Sequence, residues 1–512
     1  MVKWQSNHEN SVQSGVTVNV SRRSFLGGVA SFGATWGLRA FAAPPGLFSD
    51  GRPQLAFGAI SDIHISSPAS KVKVGTKLFE HALGWYRALG VDAVVVAGDL
   101  ANYGLVEELE MVGAAWRKVF PGNRGADGRA VEKVFVTGNH DHDAWNYGTV
   151  ARDLHPDPKD FAAHKLVNDY PRHWRSAFGE PYEPIYLKTV GGYRFVGSHW
   201  DNGDIRQFGP RLKAFLAAHR DELAGDRPFF YVQHPHPRGT VFGDLAAGSC
   251  DDGTVKEALD AFPNAIALSG HSHWSITDAR AIWQGSFTSI DLGCLFRTGF
   301  CRSSNGLMGY ENWRTPGVRK KTPESLATDN AKAMGHYAPA FRCHHGMLFK
   351  VFADRVVVER REFGTDRPVA DDWVIPLPFA ERKPFDYAVR AAKAVAPEFP
   401  AGAALTFESV KAKTRAKKRE PAVKVSFPAA NAVAGVTPYD YRIEIRPEQG
   451  EKVVRAVLAQ GVELGAASAA ALGPSCCVLA RDTLPSGKLT FRVFPGECFG
   501  RLGRPLVGTW EG

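Results

Sequence analysis

From residue 54 onward the chain repeats one pattern: a short run of apolar, largely β-branched or aromatic residues stops abruptly at a polar motif. Residues 55–60 lead into Ser61-Asp62-Ile63-His64, residues 93–97 into Gly98-Asp99, and residues 134–137 into Gly138-Asn139-His140-Asp141. Residues 229–233 then lead into His234, and residues 265–269 into Gly270-His271-Ser272-His273. Each run has the length and composition of a buried strand. Between them, residues 77–89 and 105–119 carry apolar positions at helical spacing and run up to glycines, which predicts helices. Strands alternating with helices predict βαβ connections and an α/β fold. In such a sheet the carboxyl ends of parallel strands line one edge, so motifs far apart in sequence can meet there.

The pattern changes after a last strand candidate at 355–363. The chain turns polar and proline-rich, residues 384–400 read as a connection, and seven short strand candidates follow with turn residues between them. They lie at 405–410, 423–427, 441–446, 453–458, 477–480, 488–494 and 505–510, the strand count of a sandwich. The expected organisation is therefore a leader at 1–42, a spacer at 43–53, an α/β unit at 54–365, a linker at 366–400 and an all-β sandwich at 401–512. A length of 512 residues agrees with more than one folded unit.

The leader has its own logic. Ser21-Arg22-Arg23-Ser24-Phe25-Leu26 open a Gly- and Ala-rich run to Leu38, and Ala40-Phe41-Ala42 has the small-x-small form of a cleavage site. This resembles a twin-arginine signal, which implies the twin-arginine export machinery as a partner and a periplasmic or secreted bacterial protein. No other apolar run is long enough to span a bilayer, so no transmembrane anchor is expected after cleavage. The formal net charge of +9 includes a cluster at Lys411, Lys413, Arg415, Lys417, Lys418 and Arg419. We read that cluster as a solvated linker, and no nucleic-acid partner is indicated. Seven scattered cysteines, none in a CxxC pair, exclude a disulfide-dense scaffold and leave room for one or two bridges.

The chemistry of the five motifs is coherent. Carboxylate, imidazole and amide ligands without thiolate suit divalent Mn, Fe, Zn, Co or Ni rather than a structural zinc knot. A carboxylate such as Asp99 can bridge two ions, and two ions about 3.5–4 Å apart can clamp the attacking and leaving oxygens of a phosphoryl displacement. Gly98 and Gly138 leave room for a sharp turn and close backbone approach where each strand must present its ligand. The 52 Gly and 17 His of the chain give about 0.06 chance occurrences of Gly-His-x-His, and an ordered set of five motifs is far rarer.

The ordered set resembles the calcineurin-like metallophosphoesterase family, with its Asp-x-His, Gly-Asp, Gly-Asn-His-Asp/Glu, His and Gly-His-x-His blocks, over residues 54–363. The resemblance implies a four-layer fold, two mixed β-sheets packed face to face and flanked by helices. It implies that Asp62, His64, Asp99 and His273 hold one divalent ion while Asp99, Asn139, His234 and His271 hold the other. His140 would meet the substrate. The implied reaction is hydrolysis of a phosphate mono- or diester by a metal-bound hydroxide, with His140 assisting the leaving group. Purple acid phosphatases are expected to carry a tyrosine three residues after the second motif's aspartate. Asn102 stands there, with Tyr103 one later, which separates this chain from the tyrosinate-ligated subtype; the motifs look similar to the cyclic nucleotide phosphodiesterase branch. Residues 484–493 resemble the sixth-strand region of fibronectin type III domains, with Leu489 in place of the usual corner tyrosine.

Other residues stay open at this level. Asp141 reads either as a carboxylate that orients a ligand or as a cap for a following helix. His234, which directly ends its apolar run, is preferred over His236 as a ligand. His142 reads as a solvated loop residue, His199 as either a phosphate contact or a packed residue, and His344 and His345 as structural. Cys476 and Cys477 read as inward and outward strand positions rather than a redox pair. The irregular stretch 297–340 is the candidate for substrate selection, with Arg297 and Tyr310 as contacts. A reading from another class is a non-catalytic, metal-containing surface-binding protein that acts through its carboxy-terminal sandwich. The complete ligand set argues against it.

Overall fold

The computed structural model describes residues 51–67, 74–200, 208–247, 251–297, 343–379, 383–413, 419–431, 433, 438–459 and 474–511. The segment expected to be a twin-arginine leader, nearly all of the 297–340 stretch and the centre of the basic cluster lie outside these residues. Among the described residues no helix is long and apolar enough to cross a membrane.

Each apolar run that precedes a motif is a strand. β1 (Leu55–Ile60), β2 (Ala93–Ala97) and β3 (Glu132–Val136) pair in parallel, and β1 pairs on its other side, antiparallel, with β10 (His345–Val351). Strands β11 (Arg355–Glu362), β12 (Arg367–Pro368) and β13 (Trp373–Pro376) complete this first sheet. The second sheet has the order β4-β5-β6-β7-β9-β8, from β4 (Ile185–Val190), β5 (Tyr193–Ser198), β6 (Phe229–Val232), β7 (Ala265–Ser269), β8 (Ile282–Gln284) and β9 (Thr288–Asp291). Both sheets are mixed, because helical crossovers give parallel neighbours and hairpins give antiparallel ones.

The two sheets bury one apolar cluster between them. Phe57, Val95, Val134 and Phe349 from the first meet Phe195, Phe230, Ile266 and Leu268 from the second. Phe57 stacks on Phe349 at 4.6 Å and meets Phe230 edge-on at 4.7 Å, the two arrangements that a ring quadrupole favours. The outer face of the first sheet is covered by α1 (Lys77–Ala88) and α2 (Val106–Val119). Their buried residues recur at helical spacing: Phe79, Ala82, Leu83 and Tyr86 on α1, and Leu109, Val112, Ala115 and Trp116 on α2. Helices 208–218 and 254–259 cover the second sheet through Leu212, Leu216, Val255 and Leu259. The result is the four-layer α/β arrangement expected from the motifs.

The carboxy-terminal unit is all β, and each of its seven expected strands is present: β14 (Thr406–Lys413), β15 (Arg419–Phe427), β16 (Asp440–Pro447), β17 (Val453–Leu458), β18 (Ser475–Ala480), β19 (Leu489–Gly496) and β20 (Leu506–Trp510). They form a three-stranded sheet, β14-β15-β18, and a four-stranded sheet, β17-β16-β19-β20. Val423, Val425 and Leu479 of one sheet share a core with Ile443, Ile445 and Phe491 of the other. Cys477 is buried and Cys476 exposed, the alternation of a strand with one covered face. Two features differ from the sequence expectation. The connection at 384–400 contains a helix, Tyr387–Lys393, capped by the Asp386 carboxylate at Val389 N–H. In addition, residues 139–178 carry a series of helices for which no element is expected above; the last, Tyr170–Phe178, buries Tyr170, His173, Trp174, Ala177 and Phe178 at helical spacing.

Candidate metal centre

The motifs follow directly on the strand ends, and their backbone is unusual. Seven non-glycine residues have positive φ among those described, and five of them are motif residues: Asp62, His64, Asp99, His271 and His273. Such left-handed conformations cost roughly 1–3 kcal/mol each where side chains oppose them, and they persist when the surroundings hold them in place. Here they swing consecutive polar side chains to one side of the strand ends. Gly98 and Gly138 allow this crowding. A Cβ on Gly98, at φ +91°, would collide with the His234 ring, and one on Gly138 would collide with the Asp99 carboxylate.

The seven expected ligands converge in two sets. In the first, His64 Nε2 lies 3.1 Å from His273 Nε2 and 3.5 Å from Asp99 Oδ2, and His273 Nε2 lies 3.1 Å from Asp62 Oδ1. In the second, His234 Nε2 lies 3.2 Å from Asp99 Oδ1 and 3.1 Å from Asn139 Oδ1, and His271 Nδ1 lies 3.0 Å from the same amide oxygen. The two oxygens of Asp99 face one set each. Metal bonds of about 2.0–2.2 Å at ordinary angles separate neighbouring ligand atoms by about 3.0–3.4 Å, close to these spacings. Asp62 Oδ1 is buried and accepts no hydrogen bond. An ionised oxygen buried beside three imidazoles calls for a cation as its partner, an imidazolium in the metal-free chain or a metal ion in its place. These residues therefore fit divalent ions.

The surrounding contacts fix the atoms that face inward. His234 Nδ1 donates to the Ala97 carbonyl at 2.7 Å, which leaves Nε2 as its ligand atom. The N–H of His271 donates to Asp62 Oδ2 at 3.0 Å, and that of His140 to Asp99 Oδ1 at 2.9 Å. Burial opposes ionisation of Asp62 and Asp99, but the neighbouring histidines outweigh it and hold both carboxyls below their ordinary range. Burial also lowers His140, to about 4. Its Nδ1 donates to the Asn102 carbonyl at 2.8 Å, which leaves Nε2 for a substrate.

Asp141 is resolved by its contacts. Its buried carboxylate accepts from Gly138 N–H at 2.8 Å at the start of the short helix α3 (Asn139–Asp143), and also from Leu100 at 3.1 Å and Ala101 at 2.7 Å. It both caps a helix and holds the loop after Asp99. Glu108 does the same from α2, accepting from Tyr103, Leu105 and Ser67. His236 does not face the ligand sets: it bonds Ser269 at 2.7 Å and Ser272 at 2.8 Å, and so braces the Gly-His-Ser-His loop from behind. His199 is packed among Trp174, Tyr182 and Tyr186 and accepts from Thr137 N–H. His345 is fully buried at the start of β10, which agrees with a structural role.

Residues that the sequence did not single out form the rim. Trp200 lies 6.1 Å from the rings of His234 and His271, Phe296 5.5 Å from His64, and Tyr147 5.3 Å from His140. The Arg297 guanidinium sits over Phe296 at 5.1 Å, and Tyr310 lies outside the described residues. A second histidine cluster, Glu107, His155 and His164, is found away from the centre. Its two imidazoles stack face to face at 3.8 Å, so their in-plane lone pairs run nearly parallel and cannot point at one ion. It is a carboxylate-bridged brace.

Residues 55–275 match the family described as Calcineurin-like phosphoesterase. That segment is a calcineurin-like phosphoesterase domain. The family uses divalent metals, in agreement with the Asp and His cluster of this domain. Solved structures similar to the chain include a predicted phosphoesterase from Streptococcus pneumoniae, with 11% identity and a TM-score of 0.26 over 63% of this chain and 97% of that one. A purple acid phosphatase from yellow lupin matches at 14% identity with a TM-score of 0.36, over 63% of this chain and 53% of the lupin chain. Vps29 from Entamoeba histolytica, complexed with Zn²⁺, matches at 10% identity with a TM-score of 0.27, over 63% of this chain and 99% of that one. No curated protein matches the chain.

Proposed function

We propose that the protein is an exported, dinuclear metal-dependent phosphoesterase that hydrolyses phosphate mono- or diesters. The observation that carries this reading is the division of the ligands into two sets joined by Asp99, whose two carboxylate oxygens each face one set. Asp62, His64 and His273 would complete one site, and Asn139, His234 and His271 the other. When bound, two divalent ions supply Lewis-acid stabilisation of phosphoryl charge and a nucleophilic water near neutral pH. His140 presents Nε2 to the leaving side. Burial lowers its imidazole to about 4 in the metal-free site, so for it to carry a proton to the leaving oxygen the charge of a bound phosphate would have to raise it. The aromatic rim of Trp200, Phe296 and Tyr147 would limit water around the ester.

The twin-arginine leader supports export, since that route carries proteins already folded around their metals. The three-plus-four division of the carboxy-terminal strands supports a fibronectin type III-like sandwich at 401–512; the linker expected at 366–400 starts later than that, because β12 and β13 pair with β11 and Trp373, Ile375 and Phe379 pack in the core of the α/β unit. Purified protein assayed on mono- and diester chromogens, cyclic nucleotides, sugar phosphates and phospholipid head groups should cleave at least one class. His140→Ala should lower kcat on it by about 10²–10⁴-fold with little change in metal content. Two bound metals per chain with no cleavage on this panel would rule out the hydrolase reading, and full activity of His140→Ala would rule out the role of that histidine.

A further inference from the structure

Asn139, Asp143 and Tyr147 follow one another at four-residue spacing, the first two on α3 and the third just beyond it. They are joined by their contacts rather than by a continuous helix face, since the backbone of Asp143 (φ −132°, ψ 0°) leaves the helix and Tyr147 follows the short turn Ala144–Asn146. Asn139 Nδ2 donates to Tyr147 Oη at 3.3 Å, and Tyr147 Oη donates to Asp143 Oδ1 at 2.7 Å. On the other side of the same amide, Asn139 Oδ1 lies 3.1 Å from His234 Nε2 and 3.0 Å from His271 Nδ1.

The chemistry of this row has a direction. A carboxylate only accepts, so the single hydroxyl proton of Tyr147 goes to Asp143. The tyrosine oxygen is then left with lone pairs, and it can receive the Asn139 NH₂ but not its carbonyl oxygen. The reverse orientation of the amide has an attraction of its own in a metal-free chain. His234 Nδ1 is committed as a donor to Ala97, so Nε2 faces the amide and, whenever it is deprotonated, as it must be to hold a cation, would accept from an NH₂ group instead. A flipped Asn139 would thus close the site with its nitrogen, which cannot ligate a cation.

We propose that Tyr147, backed by Asp143, is a positioning residue that selects the oxygen of the Asn139 amide as the metal-facing atom. The proposal rests on the dinuclear reading above and adds a residue to it. Tyr147 also places its ring edge-on to His140, at 5.3 Å and 88°, so one side chain orders a ligand and the substrate-facing histidine together. The hydroxyl acts only on the amide.

The test uses the full-length protein, stripped with chelator and titrated calorimetrically with Mn²⁺, and Tyr147→Phe, which keeps the ring and removes only the hydroxyl. Loss of such an outer hydrogen bond is expected to weaken one of the two Mn²⁺ binding steps by about 10–100-fold and to leave the other within about threefold. The decisive arm is the Asn139→Asp background. A carboxylate has two equivalent oxygens and nothing to orient, so Tyr147→Phe should weaken neither step there. Unchanged binding by Tyr147→Phe alone, equal weakening of both steps, or the same loss in the Asn139→Asp background would each overturn the proposal. Hydrolysis is read separately: a wild-type chain that binds two Mn²⁺ and cleaves nothing defeats the enzymatic reading while the Mn²⁺ titrations still decide Tyr147. A wild-type chain that binds fewer than two defeats both.

Discussion

Asp141 shows how a single residue can hold the site without touching a ligand. Its two oxygens receive three backbone N–H groups, from Gly138, Leu100 and Ala101, which belong to two different motif loops. Asp141→Asn keeps the shape but puts an NH₂ group against one of those donors, so it should destabilise the protein by about 2–3 kcal/mol in chemical denaturation and weaken metal binding as well. Stability equal to the parent would show that the two loops are held by other contacts. At this scale the sequence was largely legible. Asp62, His64, Asp99, Asn139, His234, His271 and His273 all stand at strand ends in recognisable short motifs, and they converge. Tyr147, Asp143, Trp200 and Phe296 were missed because their roles come from tertiary approach. The closeness of Asn139, Asp143 and Tyr147 in sequence was the one available signal, and it means little until the short helix and the turn that follows it are known.

Among the elements, the strands and the two long helices were legible because each has one buried face and a matching period. The segment 144–169 was not, because its helices are too short to show a period; Ala151 and Phe161 anchor it on Tyr103 and Leu105, and a polar brace does the rest. His155 bonds Glu107 of α2 and Asp160, both at 2.9 Å, and His164 bonds Glu107 at 2.8 Å. Burial works against the charged imidazole of His155, but its bonds to Glu107 and Asp160 outweigh it and raise its pKa from 6.5. Burial likewise opposes the Glu107 carboxylate, and the two histidines outweigh it and lower its pKa from 4.5. A raised histidine stabilises fully below its unfolded value and loses that contribution as pH rises through its folded one. A lowered carboxylate stabilises above its unfolded value and loses its contribution as pH falls. The brace is therefore strongest between about pH 4.5 and 6.5. Hydrogen-exchange protection of 144–169, corrected for intrinsic rates, should decline above that window, and His155→Phe should remove the decline. Protection that increases toward pH 9 would contradict this account of the brace.

At the scale of the whole molecule, the phosphoesterase domain and the carboxy-terminal sheets meet at a buried ion pair just beyond the last motif. Arg280 is fully buried and makes a two-pronged contact with Asp278, at 3.0 and 2.7 Å. Its guanidinium lies over Phe242 at 3.5 Å and over Tyr439 of the carboxy-terminal unit at 4.6 Å. Asp278 also accepts from Trp274 Nε1, one residue after His273. Arg280→Met keeps most of the packing but leaves Asp278 buried and unpaired, so it should cost about 3–5 kcal/mol, and adding Asp278→Asn should recover part of that loss. A fully additive double variant would show that the pair is not coupled. Nothing in the sequence marked this junction, since a lone Asp-x-Arg has no distinctive pattern. The central claim, two ions joined by Asp99, is tested most directly by the metal content of purified protein reconstituted with Mn²⁺. Two ions per wild-type chain, falling to one or none in Asp99→Asn, is the predicted result; one ion in wild type, or two retained in Asp99→Asn, would contradict it.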